Sequence, residues 1–134
     1  MANPVVKFRV DFKARCSVGP GKIALLEGIY RTGSLSQAAR DLTMSYRRAW
    51  LLLSSLNAAF CEPVVVTVTG GRGGGGARLT AFGRRLVRMY REFDAEVQVH
   101  AIRRFRPIVS LARSKAREAA RARKGVPVLR LKDR

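Results

Sequence analysis

The chain has little of what site chemistry usually draws on. It carries one histidine, His100, and two cysteines, Cys16 and Cys61, 45 positions apart. That pattern is neither a disulfide framework nor a zinc site. It reads as two small, semi-buried thiols in a reducing cytoplasm. Only nine residues are acidic. Asp41, Glu62, Glu92, Asp94 and Glu96 form no evident acid–base pair and His100 has no partner in sequence, so no enzyme is expected. Glu92, Asp94 and Glu96 read instead as the solvated or ion-paired face of a helix. There is no run of about 18 apolar residues to span a membrane, and the start, Met1-Ala2-Asn3-Pro4-Val5, lacks the basic-then-apolar layout of a signal peptide. Nothing in the sequence asks for a cofactor or a metal.

What is present is positive charge. Twenty-seven Lys and Arg against nine acids give +18 and a pI near 11.6 over 134 residues. Such a field attracts polyanions, either nucleic acid or an anionic membrane surface. It is unevenly placed. Residues 100–134 hold 12 basic and 2 acidic groups, and the first 99 hold 15 and 7, so the two parts carry +10 and +8. Length and composition fit one domain with a modest extension.

Val6-Lys7-Phe8-Arg9-Val10-Asp11-Phe12 alternates apolar and polar residues, which predicts a half-buried strand. Gly19-Pro20-Gly21 reads as punctuation. From Lys22 a helical period runs through Ile23, Leu26 and Ile29 until Thr32-Gly33 stops it. Ser34 caps a second helix whose small residues, among them Ala38 and Ala39, allow close approach of another helix. Thr43-Met44 makes a tight turn and Ser45 caps a third helix through Asn57, with Ala49, Leu53 and Leu56 as its buried stripe. Val64 to Thr69 has the β-branched density of a strand. Six of the seven residues from Gly70 to Gly76 are glycine, a tip free to take positive φ, and Ala77-Arg78-Leu79 should pair back. Thr80 caps a long helix that is expected to break by Pro107. Ile108 to Lys124 is Ala/Arg-rich with helical propensity, and Val128 to Arg134 is expected to fray.

Two helices around a tight turn with a glycine-rich basic hairpin behind them make a DNA-reading device. Tyr46, Arg47 and Trp50 project from the third helix near its N-terminal end, where a recognition helix meets base edges. Arg47 suits a bidentate contact to guanine. Arg48 reads either as a second base contact or as a phosphate contact, with Ser45 beside it. Trp50 has two readings: it touches DNA, or it covers the helix pair, and burial preference favours the second. Ser34, Ser36 and Gln37 at the start of the second helix are further candidate contacts. Arg72 at the hairpin tip, with Gly73 and Gly74, suits a minor-groove or backbone contact. A P-loop is excluded because Gly76 is followed by Ala-Arg-Leu rather than Lys-Ser/Thr. Leu51 and Leu52 widen the apolar face of the third helix towards a neighbouring element or a partner subunit. The basic tail from Arg103 to Lys124 reads as a DNA clamp or as a solvated helix.

The segments Gly33-Ser34-Leu35-Ser36-Gln37-Ala38-Ala39, Ser45-Tyr46-Arg47-Arg48-Ala49-Trp50 and Thr69 to Thr80 with Gly83 resemble the DNA-binding domain of the ModE-type molybdate-responsive regulators, a relative of the LysR-type reader. The similarity runs from about Val5 to about Val97. It implies a bacterial transcription regulator that dimerises partly through the long helix after the hairpin. That family's sensor is a pair of small β-barrel modules after the DNA-binding domain. Only some 35 residues, rich in Ala and Arg, follow the matched stretch here, so no molybdate site is carried over.

These readings predict an α+β chain, mainly α: a winged helix-turn-helix with a long C-terminal dimerisation helix. The expected domain is residues 1–104, with a basic extension over 105–134. Leu86, Met89, Tyr90, Phe93 and Val97 are the expected dimer seam. The expected function is sequence-specific regulation on double-stranded DNA by a cytoplasmic, nucleoid-associated homodimer with no membrane partner. A separate sensor or transcription-machinery partner is allowed. The alternatives are a nonspecific architectural DNA-binding protein, and a metal or oxyanion sensor for which the sequence offers no ligand cluster.

Overall fold

The computed structural model describes residues 3–13, 16–68 and 76–112. Two short strands, β1 (Val10–Phe12) and β2 (Cys16–Val18), pair antiparallel with Val10 opposite Val18. Three helices follow: α1 (Pro20–Thr32), α2 (Leu35–Asp41) and α3 (Tyr46–Ala59). A second antiparallel pair, β3 (Val65–Val68) and β4 (Gly76–Leu79), sets Val65 opposite Leu79 and Val68 opposite Gly76. The 29-residue α4 (Ala81–Val109) is the last element among the described residues. Among the described residues the fold is mainly helical with two small antiparallel sheets, in agreement with an α+β class.

Local chemistry marks most helix ends. Pro20, read above as punctuation, is instead the first turn of α1, where its missing N–H has no helical partner to lose. Gly33 ends α1 in the left-handed region at φ +70, with its N–H bonded to the Ile29 carbonyl at 2.8 Å. Ser34, Ser45 and Thr80 each accept a backbone N–H three residues on, at 3.2, 3.1 and 2.9 Å. Each such cap contributes about 1 kcal/mol. The turn between α2 and α3 holds Thr43 at φ 52, an uncommon conformation for a β-branched residue.

The core lies between α1, α2, α3 and the first turns of α4. Ile23, Leu25, Leu26 and Ile29 meet Ala49, Leu53 and Leu56, and Val64, Leu79 and Leu86 close the far side. Each large aliphatic side chain taken from water contributes about 1.5–3 kcal/mol. Gly28 lets α1 approach α2 closely, since a Cβ there would sit 3.0 Å from the Ala38 Cβ.

Two further expectations need correction. Residues 6–11 alternate in exposure as predicted, but Phe12 is exposed and only Val10–Phe12 pairs as a strand. The preceding backbone is satisfied by side chains of α4 instead. Gln98 accepts from Val6 N–H at 2.9 Å and donates to the Val6 carbonyl at 2.8 Å, while the Tyr90 hydroxyl donates to the Phe8 carbonyl at 2.9 Å. Phe8 stacks on Tyr90 at 4.8 Å between ring centroids and meets Phe93 edge-on. A helix face can therefore serve the backbone as a neighbouring strand would. Second, α4 does not break by Pro107; it continues through it to Val109 and so crosses residue 105 unbroken. Pro107 sits in the exposed last turn, where one lost N–H and a carbonyl turned to water are tolerated more readily than mid-helix.

Candidate nucleic-acid interface

In α3, Ala49, Leu53 and Leu56 face the core. At about 100° per residue, Arg47 and Leu51 then lie diametrically opposite that stripe. Tyr46 and Trp50 flank it on the side toward the β3–β4 hairpin, and Arg48 flanks it on the other. Tyr46, Arg47, Arg48, Trp50 and Leu51 are all exposed. Trp50 is 52% exposed, which overturns its reading as a core residue. The stripe was already filled by the three aliphatic residues, and the indole falls outside it.

A cleft of about 380 Å³ separates this face from the hairpin. Tyr46, Trp50 and Ser54 form one wall, Thr67 and Val68 of β3 the other, and Ser34 and Ser36 lie at one end. The hairpin is fixed against α1 as well, through a bond from Ala77 N–H to the Gly33 carbonyl at 3.0 Å. Ser54 and Thr67 escaped sequence reasoning. Ser54 follows Tyr46 and Trp50 at four-residue steps, a signal that was available; Thr67 had none, because its place depends on how the hairpin docks.

The remaining predicted contacts are placed unequally. Ser36 is exposed, whereas the hydroxyl oxygens of Ser34 and Ser45 already accept cap bonds. Gln37 is engaged on its own helix: it donates to Asp41 at 2.7 Å and accepts from Arg40 at 2.8 Å, and Arg31 pairs with Asp41 at 3.3 Å. Arg72, Gly73 and Gly74 fall outside the described residues, as does the basic tail from residue 113.

The expected dimer seam divides in two. Met89, 55% exposed, and Phe93 project from α4, and Val97 is half-buried. Leu86 and Tyr90 belong instead to the core of their own chain. Burial of Tyr90 raises its phenol pKa first, the nearby Asp94 carboxylate raises it further, and Arg91 opposes both. Val10, Phe12, Met89 and Phe93 rim an apolar groove of about 330 Å³ whose floor includes Leu86 and Val18. Below it Arg91 joins α4 to α1 through a two-pronged pair with Glu27, one N–O distance being 3.0 Å. That hydrogen bonding holds the Arg91 pKa above its ordinary value.

Among the described residues no three of His, Cys, Asp and Glu gather as a metal site, and no helix is long and apolar enough to cross a membrane.

No family model matches the chain. Curated relatives do. The molybdenum transport protein ModE of Azotobacter vinelandii is 40% identical over 94 residues, 70% of this chain and 35% of that protein. The transcriptional regulator ModE of Yersinia pestis is 45% identical over 81 residues, 60% of this chain and 31% of that protein. The DNA-binding transcriptional dual regulator ModE of Escherichia coli K12 is 42% identical over 82 residues, 61% and 31% of the two chains. The chain spans about a third of the length of these curated relatives. Over the matched residues it is ModE-like.

Proposed function

We propose that the protein is a sequence-specific, DNA-binding transcription regulator, built as a winged helix-turn-helix and acting as a homodimer. The observation that carries this reading is the outward face of α3. Tyr46, Arg47, Trp50 and Leu51 stand exposed on a helix whose opposite stripe is buried, beside a hairpin, in a chain of net charge +18. The relatives' names point the same way.

In this reading α2 and α3 are the two helices of the motif, and α3 enters the major groove with its N-terminal end leading. Arg47 donates two hydrogen bonds to the O6 and N7 of a guanine. Leu51, one turn on, meets a thymine methyl, and Tyr46 and Trp50 cover the sugar edge on the hairpin side. Arg48 and the backbone near Ser45 hold phosphates, which fix register without reading sequence. Ser36 lies near the duplex backbone. The β3–β4 hairpin is the wing, and Arg72, with Gly73 and Gly74, reaches the minor groove from its tip. Two copies joined across Met89, Phe93 and Val97 place their α3 helices on half-sites about 34–36 Å apart.

Selection of bound fragments from a random-sequence pool, followed by competition binding, tests the reading. The selected site should be held about 10³-fold above bulk DNA at physiological salt. Arg47→Ala should erase the preference at one base pair. Equal affinity for all sequences would show a nonspecific architectural protein instead.

A further inference from the structure

The loop between α3 and β3 is where three elements meet, and one side chain ties two of them. Asn57, near the end of α3, is half-buried. Its Oδ1 accepts from the backbone N–H of Val64 at 2.8 Å and of Val65 at 3.3 Å, and its Nδ2 donates to the Val65 carbonyl at 3.2 Å. The first residue of β3 is thus held by both its N–H and its C=O from a side chain on α3. The α4 side closes the same joint. Thr80 N–H donates to the Val64 carbonyl at 3.0 Å, and the Thr80 hydroxyl donates to the Pro63 carbonyl at 2.7 Å.

We infer that Asn57 is a positioning residue: it locks the β3–β4 hairpin to α3 so that both engage one duplex at once. The inference rests on the DNA-reading function proposed above and adds to it a residue that borders the cleft while its amide oxygen and nitrogen are both bonded to the backbone of Val64 and Val65. Two contacts with one ligand reinforce each other only while the geometry between them is held. A hairpin released from α3 leaves the contacts of α3 intact and loses that reinforcement. The fold of α3 itself does not call for asparagine at 57. Its side-chain bonds all leave the helix, and alanine is the better helix former. A loss of binding in Asn57→Ala therefore cannot come from a weaker α3.

A double-mutant cycle tests this. One axis is Asn57→Ala, the other is removal of residues 71–74 from the hairpin tip, and the readout is fluorescence anisotropy on the selected site. Asn57→Ala should weaken binding about 10-fold with the full hairpin. With the tip shortened the loss should fall below about 2-fold, as expected when two changes remove one shared effect. Asn57→Asp, which keeps the acceptor toward Val64 and Val65, should recover part of the affinity. In the free protein, hydrogen exchange at the Val64 and Val65 amides should accelerate in Asn57→Ala while Leu53 and Leu56 stay protected. Equal losses on both hairpin backgrounds, or no effect of shortening the tip, overturns the inference. If Asn57→Ala does not fold, Asn57→Asp takes its place in the cycle with the same expected sign. If the unsubstituted protein prefers no sequence, the DNA-reading proposal itself fails, and the exchange measurement still decides whether Asn57 holds the hairpin.

Discussion

Gly83 offers a sharp test of the packing at this joint. It lies in the first turn of α4, and a Cβ built on it would come within 2.1 Å of the Val64 carbonyl oxygen and 3.1 Å of its carbon. Ordinary contact needs roughly an ångström more than the first distance, and both groups are backbone, so no rotamer change can relieve the clash. Forcing them apart costs about 1–3 kcal/mol as overpacking. The Val64 carbonyl also accepts from Thr80 N–H, and loosening that bond adds about 1 kcal/mol. Alanine's better helix propensity returns about 1 kcal/mol. The balance for Gly83→Ala is a loss of about 2 kcal/mol, or roughly 8–16 °C in Tm for a domain of this size. Gly21 in α1 is the control, because a Cβ there meets nothing within 4 Å. Gly21→Ala should leave Tm unchanged or raise it. Thermal melts followed by circular dichroism at 222 nm decide the matter. A Gly83→Ala protein as stable as the unsubstituted chain would refute the reasoning.

Three further outcomes are expected. Tyr90→Phe removes the bond to the Phe8 carbonyl and should cost about 1 kcal/mol at neutral pH in urea unfolding. Because burial and then Asp94 hold the Tyr90 pKa above its ordinary 10.0, the unfolded chain ionises first as pH rises; stability falls above pH 10.0, and the phenylalanine variant should show a shallower decline there. Ellman's reagent should titrate one thiol per native chain, the exposed Cys61, and a second only in denaturant, because Cys16 is buried; two fast thiols would contradict the packing of β2. Met89→Asp should convert a dimeric mass in light scattering to a monomeric one, with Tm reduced by less than about 5 °C, since the side chain is exposed and charging an exposed site costs its own chain little.

Much of the fold was legible because its start and stop signals are local. Ser34, Ser45 and Thr80 announce their helices by chemistry that acts within three residues, and Gly33 ends its helix the same way. The buried stripe of α3 followed from period alone. What escaped depended on partners distant in sequence. The strand over residues 6–12 was half right, because alternation reports a half-buried extended chain and not what covers it; the cover is α4, more than eighty residues away. Leu86 and Tyr90 share the helical period of Met89 and Phe93, and only the docking of residues 6–8 and of the β1–β2 hairpin separates the inner pair from the outer. Trp50 was misplaced by a rule about residue type, when its angular position relative to Ala49 and Leu53 already set it outside the core. Asn57 gave no signal at all, since its partners are backbone atoms.

The fixings of α4 have a mechanical consequence. Arg91 on Glu27, Tyr90 on Phe8 and Gln98 on Val6 all grip its first two thirds, and Gln98 is the last such anchor among the described residues. From there to Val109 the helix runs on for about 16 Å at 1.5 Å per residue, with Phe105 and Ile108 exposed. Among the described residues this makes α4 a rod clamped along one end, and so a lever. A tilt of roughly 10° at the clamp carries the far tip by roughly 3 Å over that reach, and a push on the tip arrives at the clamp with its torque multiplied. The clamp begins at Thr80, in the same joint that holds the hairpin. Whatever docks beyond residue 100 thus has long leverage on the angle between the two halves of the site.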